Sequence, residues 1–199
     1  MIRIASFVLV ICALAISATT SVAQTSEPPS FEVGGQFSLL NFDVFDSFGD
    51  RRRNEFGGGG RVTININRYI AAEAQVDHFP QNNSVLIGTI DVPLWGSKTL
   101  AVFGGKAGVR NDRFGVFGKA RPGFIHFSHV PAFGCFGIGP CPQPKKTVFA
   151  FDVGGVVEYY PSRRTVLRFD VGDTIIRPDQ RFFSTSHSFQ LSIGAGFRF

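Results

Sequence analysis

Phe189-Gln190-Leu191-Ser192-Ile193-Gly194-Ala195-Gly196-Phe197-Arg198-Phe199 is the stretch whose reading decides the fold. Phe189, Leu191, Ile193, Ala195, Phe197 and Phe199 share one parity; Gln190, Ser192, Gly194, Gly196 and Arg198 share the other. Successive side chains of an extended chain point to opposite faces. The segment is therefore a strand with one apolar and one polar side, and it ends on an aromatic ring.

Working back from it, the same alternation recurs. Leu167, Phe169 and Val171 oppose Arg168 and Asp170. Phe149, Phe151, Val153, Val157 and Tyr159 oppose Ala150, Asp152, Gly154 and Glu158. Ala101, Phe103, Ala107 and Val109 oppose Lys106 and Arg110, and Ile70, Ala72, Ala74 and Val76 oppose Glu73, Gln75 and Asp77. Val62, Ile64 and Ile66 oppose Arg61, Thr63 and Asn65; Phe31, Val33, Phe37 and Leu39 oppose Glu32, Gln36 and Ser38. An eighth strand over 114–127 sets Phe114, Val116 and Phe124 against Lys119 and Arg121. Pro122 lies on its apolar side and has no N–H to give a ladder, which predicts a bulge or break there.

Alternation also describes a soluble sandwich, and the connections separate the two. Three are short, at Asn67-Arg68, Asn111-Asp112-Arg113 and Pro161-Ser162-Arg163. Four are long, at about 43–55, 79–99, 128–146 and 173–187, and short and long alternate strictly. Short turns at one end and long loops at the other mark transmembrane barrels. The even strand count puts both termini at the short-turn, periplasmic end. Within 79–99, Ser84–Ile90 is apolar enough to pass for a further crossing. It is read instead as part of a β-hairpin standing above the membrane.

Composition agrees. The 199 residues include 23 Phe and 23 Gly but one Met and one Trp, which suits pleated surfaces and turns better than helices. After residue 24 no run is apolar for the ~20 residues a membrane helix needs. The net charge of +5 is dispersed apart from Arg51-Arg52-Arg53, read as a solvated loop. A nucleic-acid footprint needs a basic face and a recognisable module, and neither is present. Gly57–Gly60 lacks the following helix and the Lys-Ser/Thr pair of a phosphate-binding loop. These glycines fit better as relief at the bends of a small barrel.

The polar faces carry Glu32, Glu73, Asp77, Asp152, Glu158 and Asp170 against Arg61, Lys106, Arg110, Lys119, Arg121, Arg168 and Arg198. In a membrane barrel these charges line the lumen, and eight strands leave an interior just wide enough for side chains to fill. Six acids against seven bases predict a self-paired, plugged interior rather than an aqueous pore.

Residues 1–23 read as an export signal. Arg3 supplies the positive start, Ile4–Ile16 the apolar core and Ser21-Val22-Ala23 the small residues at a cleavage site, so the mature chain is expected to begin near Gln24. Residues 24–30 then form a short periplasmic segment, and 31–199 the barrel. Cys12 follows Ile11 rather than the small residue a lipidation site requires. Cys135 and Cys141 remain, and an oxidising compartment predicts a disulfide between them. No metal, cofactor or nucleic acid is expected.

The alternating last strand ending in Phe199 and the early strand Gly57-Gly58-Gly59-Gly60-Arg61-Val62-Thr63-Ile64-Asn65 resemble the outer-membrane β-barrel domain family of small OmpA-like and OmpX-like proteins. The resemblance covers 28–199. It implies an all-β, eight-stranded antiparallel up-and-down transmembrane barrel in the bacterial outer membrane, a monomer surrounded by outer-membrane lipid and lipopolysaccharide. It further implies that Phe199 and the last strand are read by the barrel-assembly machinery. These signals specify architecture and not activity; the function expected is non-enzymatic, in envelope structure or surface interaction through the long extracellular loops. One enzymatic alternative carries residues: His126-Phe127-Ser128 is similar to the His-x-Ser pair of eight-stranded outer-membrane lipid A deacylases. A serine needs a base, and the base an orienting acid. However, His129 follows where that family has asparagine, and Asp152 and Glu158 fall on the opposite face. Tyr69, Tyr159 and Tyr160 are expected in an interfacial aromatic belt at the short-turn end.

Overall fold

The computed structural model describes residues 29–46, 49–81, 83–87, 90–130, 145–177 and 185–199. The expected export signal, and Cys135 and Cys141, lie outside them. Ten strands follow in chain order: β1 Phe31–Asp46, β2 Gly49–Asn65, β3 Ile70–Phe79, β4 Asn83–Ile87, β5 Ile90–Trp95, β6 Lys98–Arg110, β7 Phe114–Phe127, β8 Lys146–Ser162, β9 Thr165–Arg177 and β10 Ser186–Arg198. Eight of them close into an antiparallel barrel in the order β1-β10-β9-β8-β7-β6-β3-β2. β4 and β5 pair only with each other, so 83–95 is a hairpin outside the ring, as the sequence reading required.

The ring shuts between the first and last strands. Glu32 to Asn41 pair with Arg198 to Phe189, and Phe31 and Phe199 exchange two backbone hydrogen bonds, of 3.3 and 2.8 Å. The stagger can be read by stepping across the ladders from Phe31 through Ile64, Ala72, Gly105, Ala120, Val153, Asp173 and Phe189. The path returns at Asn41, ten residues further along β1. With eight strands, ~3.3 Å per residue and ~4.8 Å between strands, this stagger tilts the strands by about 40°.

One part differs from the sequence reading, and the interruption expected at Pro122 is present. The connection expected over 43–55 is mostly strand: β1 runs to Asp46 and β2 begins at Gly49. The Arg51–Arg53 run is therefore in β2, with Arg52 and Arg53 exposed on it. Polar sequence suggested a loop because pairing above a membrane needs no apolar face. At Pro122 the ladder breaks without a bulge. Rungs are missing opposite Phe103 and Gly104, and the same register resumes at Gly105↔Ala120. On its other edge Pro122 pairs with Phe151 without interruption.

The outer wall is apolar. Phe37, Val62, Ile64, Val76, Phe103, Val116, Phe124, Val157, Phe169 and Ile193 are among the exposed large hydrophobic residues. Aromatic rings mark two levels. Phe31, Tyr69, Phe114, Tyr159, Phe197 and Phe199 are exposed near the short turns, and Phe56, Phe124, Phe149 and Phe189 toward the loops. Within these levels the rings pack across strands, Phe114 on Tyr159 at 5.1 Å and Phe124 on Phe149 at 6.2 Å. Ten residues of β7 separate Phe114 from Phe124. At about 3.3 Å per residue and 40° of tilt the band between is ~25 Å tall, matching an outer-membrane apolar band.

Each short turn is pinned by its own side chain. Asn67 Oδ1 accepts from the N–H groups of Tyr69 and Ile70, and Asn111 Oδ1 from those of Arg113 and Phe114. Ser162 Oγ accepts from the N–H of Arg164 at 3.2 Å.

Candidate functional site

The inward faces fill the lumen in three storeys. Lowest, near the short turns, Glu32 accepts from Arg198 Nε at 3.1 Å and from Asn65 Nδ2 at 2.8 Å. Tyr160 is buried here, donating its hydroxyl to Glu158 at 2.6 Å while the Arg198 guanidinium lies 4.1 Å from its ring centre. The expected belt position for Tyr160 is thus corrected. Adjacent residues of a strand cannot share a face, so Tyr159 outside sends Tyr160 inside.

The middle storey is an ion-pair lattice. Glu73 takes both terminal nitrogens of Arg168, Arg121 Nη1 at 3.2 Å, and Lys106 Nζ at 3.3 Å. Glu158 pairs with Lys106, and Asp152 with Arg121 and with Lys119 at 2.8 Å. Asp170 closes the set through Lys119 at 2.5 Å and Arg168 at 2.9 Å. Above it Asp77 accepts from Gln36, Ser38 and Gln75. Charges taken from water need such partners, because an unpaired one is costly. All six acids and seven bases singled out in the sequence are lumenal.

The upper storey was not legible in the sequence. Leu40, Phe42, Phe79, Leu100, Val102, Ile125, Phe127, Val148, Ala150 and Ile176 form a buried apolar cluster inside the loop end, with Val130 packed against it. A further pair, Lys98 to Glu55 at 2.5 Å, is buried beside it, the ammonium 4.9 Å from the Phe42 ring centre. The signal was present in runs apolar on both faces, such as Leu39-Leu40 and Val148-Phe149-Ala150-Phe151. Gly57 and Gly59 make room here: a Cβ on Gly57 would overlap the Phe79 ring, and one on Gly59 the Asp77 carboxylate.

His126 is exposed on the outer face at the loop end and Ser128 is partly buried just beyond β7, and among the described contacts no hydrogen bond joins them. His126 Nδ1 is 2.8 Å from Thr147 Oγ1, and Ser128 Oγ is 3.4 Å from His129 Nδ1. Asp152 and Glu158 are across the wall, committed to lumenal cations. A base bonded to threonine, with no acid behind it, has nothing to activate the serine. Among the described residues, no cluster of three or more His, Cys, Asp or Glu could hold a metal.

The outer membrane protein β-barrel domain model matches residues 10–199. The chain belongs to that family. No curated protein sequence matches it. Solved structures show the same barrel at low identity. Neisserial surface protein A is similar at 13% identity and a TM-score of 0.61, over 85% of this chain and 97% of that one. Ail of Yersinia pestis, solved with the heparin analogue sucrose octasulfate, is 13% identical over 86% of this chain and 99% of that one, with a TM-score of 0.55. OprG of Pseudomonas aeruginosa is 14% identical over 88% and 98%, also at 0.55. This outer-membrane barrel is thus an eight-stranded ring with a packed interior, and its exposed polar chemistry lies at its two ends.

Proposed function

We propose that the protein is a non-enzymatic surface-contact barrel whose loop end meets polyanionic partners outside the cell. The observation that carries this reading is where the charge lies. The lumen is consumed by its own ion pairs and apolar cluster, and the wall is apolar. At the loop end Arg52, Arg53, Lys145 and Arg177 are basic and exposed. Asp173 lies at the same end in an exposed pair with His187 at 2.6 Å. Several exposed cations at one end of the barrel suit sulfate or phosphate groups on a polymer, through additive contacts that salt weakens. Ail was solved with a compound of that class, which makes heparin a rational probe.

The experiment is adhesion of cells displaying the protein to heparin-coated and bare surfaces. Displayed wild type should adhere to heparin in a salt-sensitive way, and a variant with Arg52, Arg53, Lys145 and Arg177 changed to Gln should lose most of that adhesion at equal surface level. Equal adhesion of wild type and variant would remove the proposal.

A further inference from the structure

The apolar wall is not uniformly filled. Between β1, β2, β3 and β6 it carries an open groove of about 420 Å³, lined by Val33, Gly60, Val62, Ala74, Val76 and Phe103 among others. Its floor is low because small residues, Gly60 and Ala74, sit where neighbouring positions carry Val and Phe. A Cβ on Gly60 would meet nothing closer than 3.8 Å, so the space is not forced by backbone crowding. The groove lies between the two aromatic levels, within the ~25 Å band that faces hydrocarbon.

The turn joining two of its strands, β2 and β3, contains Arg68 and Tyr69, both exposed. The Arg68 guanidinium stands 5.3 Å from the Tyr69 ring centre, and the turn is fixed by Asn67. A cation beside an interfacial aromatic, at the short-turn end of the two strands that carry the apolar trough and separated from it by the exposed Ile64, Ile66 and Ile70, complements an amphiphile with a negative head and a hydrocarbon tail. The flanking turn from β6 to β7 adds Arg113, also exposed.

We propose that this face holds one ordered phospholipid of the periplasmic leaflet, its phosphate on Arg68 and an acyl chain along the groove. The position selects that source: the short-turn end is periplasmic in this family's architecture. The site is independent of the loop-end chemistry and would survive its failure.

The test is native mass spectrometry of the barrel reconstituted in nanodiscs of phosphatidylethanolamine and phosphatidylglycerol, then released into mild detergent. Wild type should retain a single phospholipid. Ala74→Leu, which fills the groove, and Arg68→Gln, which removes the cation, should each cut the retained fraction severalfold, with Arg68→Lys restoring part of it. Val157→Leu on β8, exposed on the far wall, should change nothing. Heat-dependent gel mobility checks that every variant is folded. Wild type with no retained lipid, or equal retention in Ala74→Leu and wild type, would overturn the site. Retention unaffected by Arg68→Gln would overturn the phosphate contact.

Discussion

Glu73 is the residue on which most of the lumen depends. Arg168, Arg121 and Lys106 all converge on it, and Thr63 donates to it at 3.2 Å. Glu73→Gln leaves three buried cations short of one negative charge, and breaking a buried pair typically costs about 3–5 kcal/mol. Asp173→Asn removes an acid from an exposed pair with His187, where the expected loss is about 0–1 kcal/mol. Urea unfolding in lipid vesicles should order the two variants that way, and comparable losses would mean that water screens the lumen. Gly123 tests packing in the same spirit. An added side chain there would strike the Ala101 carbonyl and Val102, so Gly123→Val should destabilise by about 1–3 kcal/mol through overpacking. Residue identity was legible wherever charge met alternation: Glu32, Arg121 and Arg168 could be placed inside from parity alone. Tyr160 was missed because its chemistry suggested a belt while its parity, one step from Tyr159, dictated the lumen.

Among the elements, β10 closes the ring against β1. Phe199 is 71% exposed on the lipid side, 6.5 Å from the Phe31 ring, and its backbone completes the seam with β1. Deleting it removes two seam hydrogen bonds and one ring, on the order of 2–3 kcal/mol, too little to prevent folding of a finished chain. In cells, where the last strand is expected to be read by the assembly machinery, the deletion should sharply reduce membrane-inserted protein while refolding in detergent stays near normal. Pulse labelling with fractionation measures the first and gel mobility the second. Unchanged cellular levels would remove the terminal-signal reading. The eight crossings were legible because lipid outside and charge inside keep the period of two clean through the band. The upper reaches of β1 and β2 were not. Above the band no lipid imposes an apolar face, so 43–46 and 49–55 carry little alternation although they pair regularly.

For the whole molecule, the packed interior predicts the permeation behaviour. With the lattice around Glu73 below and Leu40, Phe79, Leu100 and Ile125 above, no continuous water path is expected. Liposomes containing the folded barrel should show no sugar-driven swelling beyond protein-free liposomes, whereas a general porin supports it. Steady swelling would mean that the apolar storey opens. The closed ring should also keep unheated protein compact in detergent, so it migrates faster than boiled protein on a gel.

The seam between Phe31 and Phe199 has a consequence for the lifetime of the protein in its host. A sheet joined to itself offers no free edge from which strands can peel one at a time, so opening must begin by breaking a full ladder within hydrocarbon, where freed backbone groups find no water. Survival is then governed by an activation barrier rather than by an equilibrium balance. Once inserted, a copy should outlast many rounds of cell division, and its amount per cell would fall by dilution among daughters rather than by degradation. Any adjustment of its abundance would have to be made at synthesis.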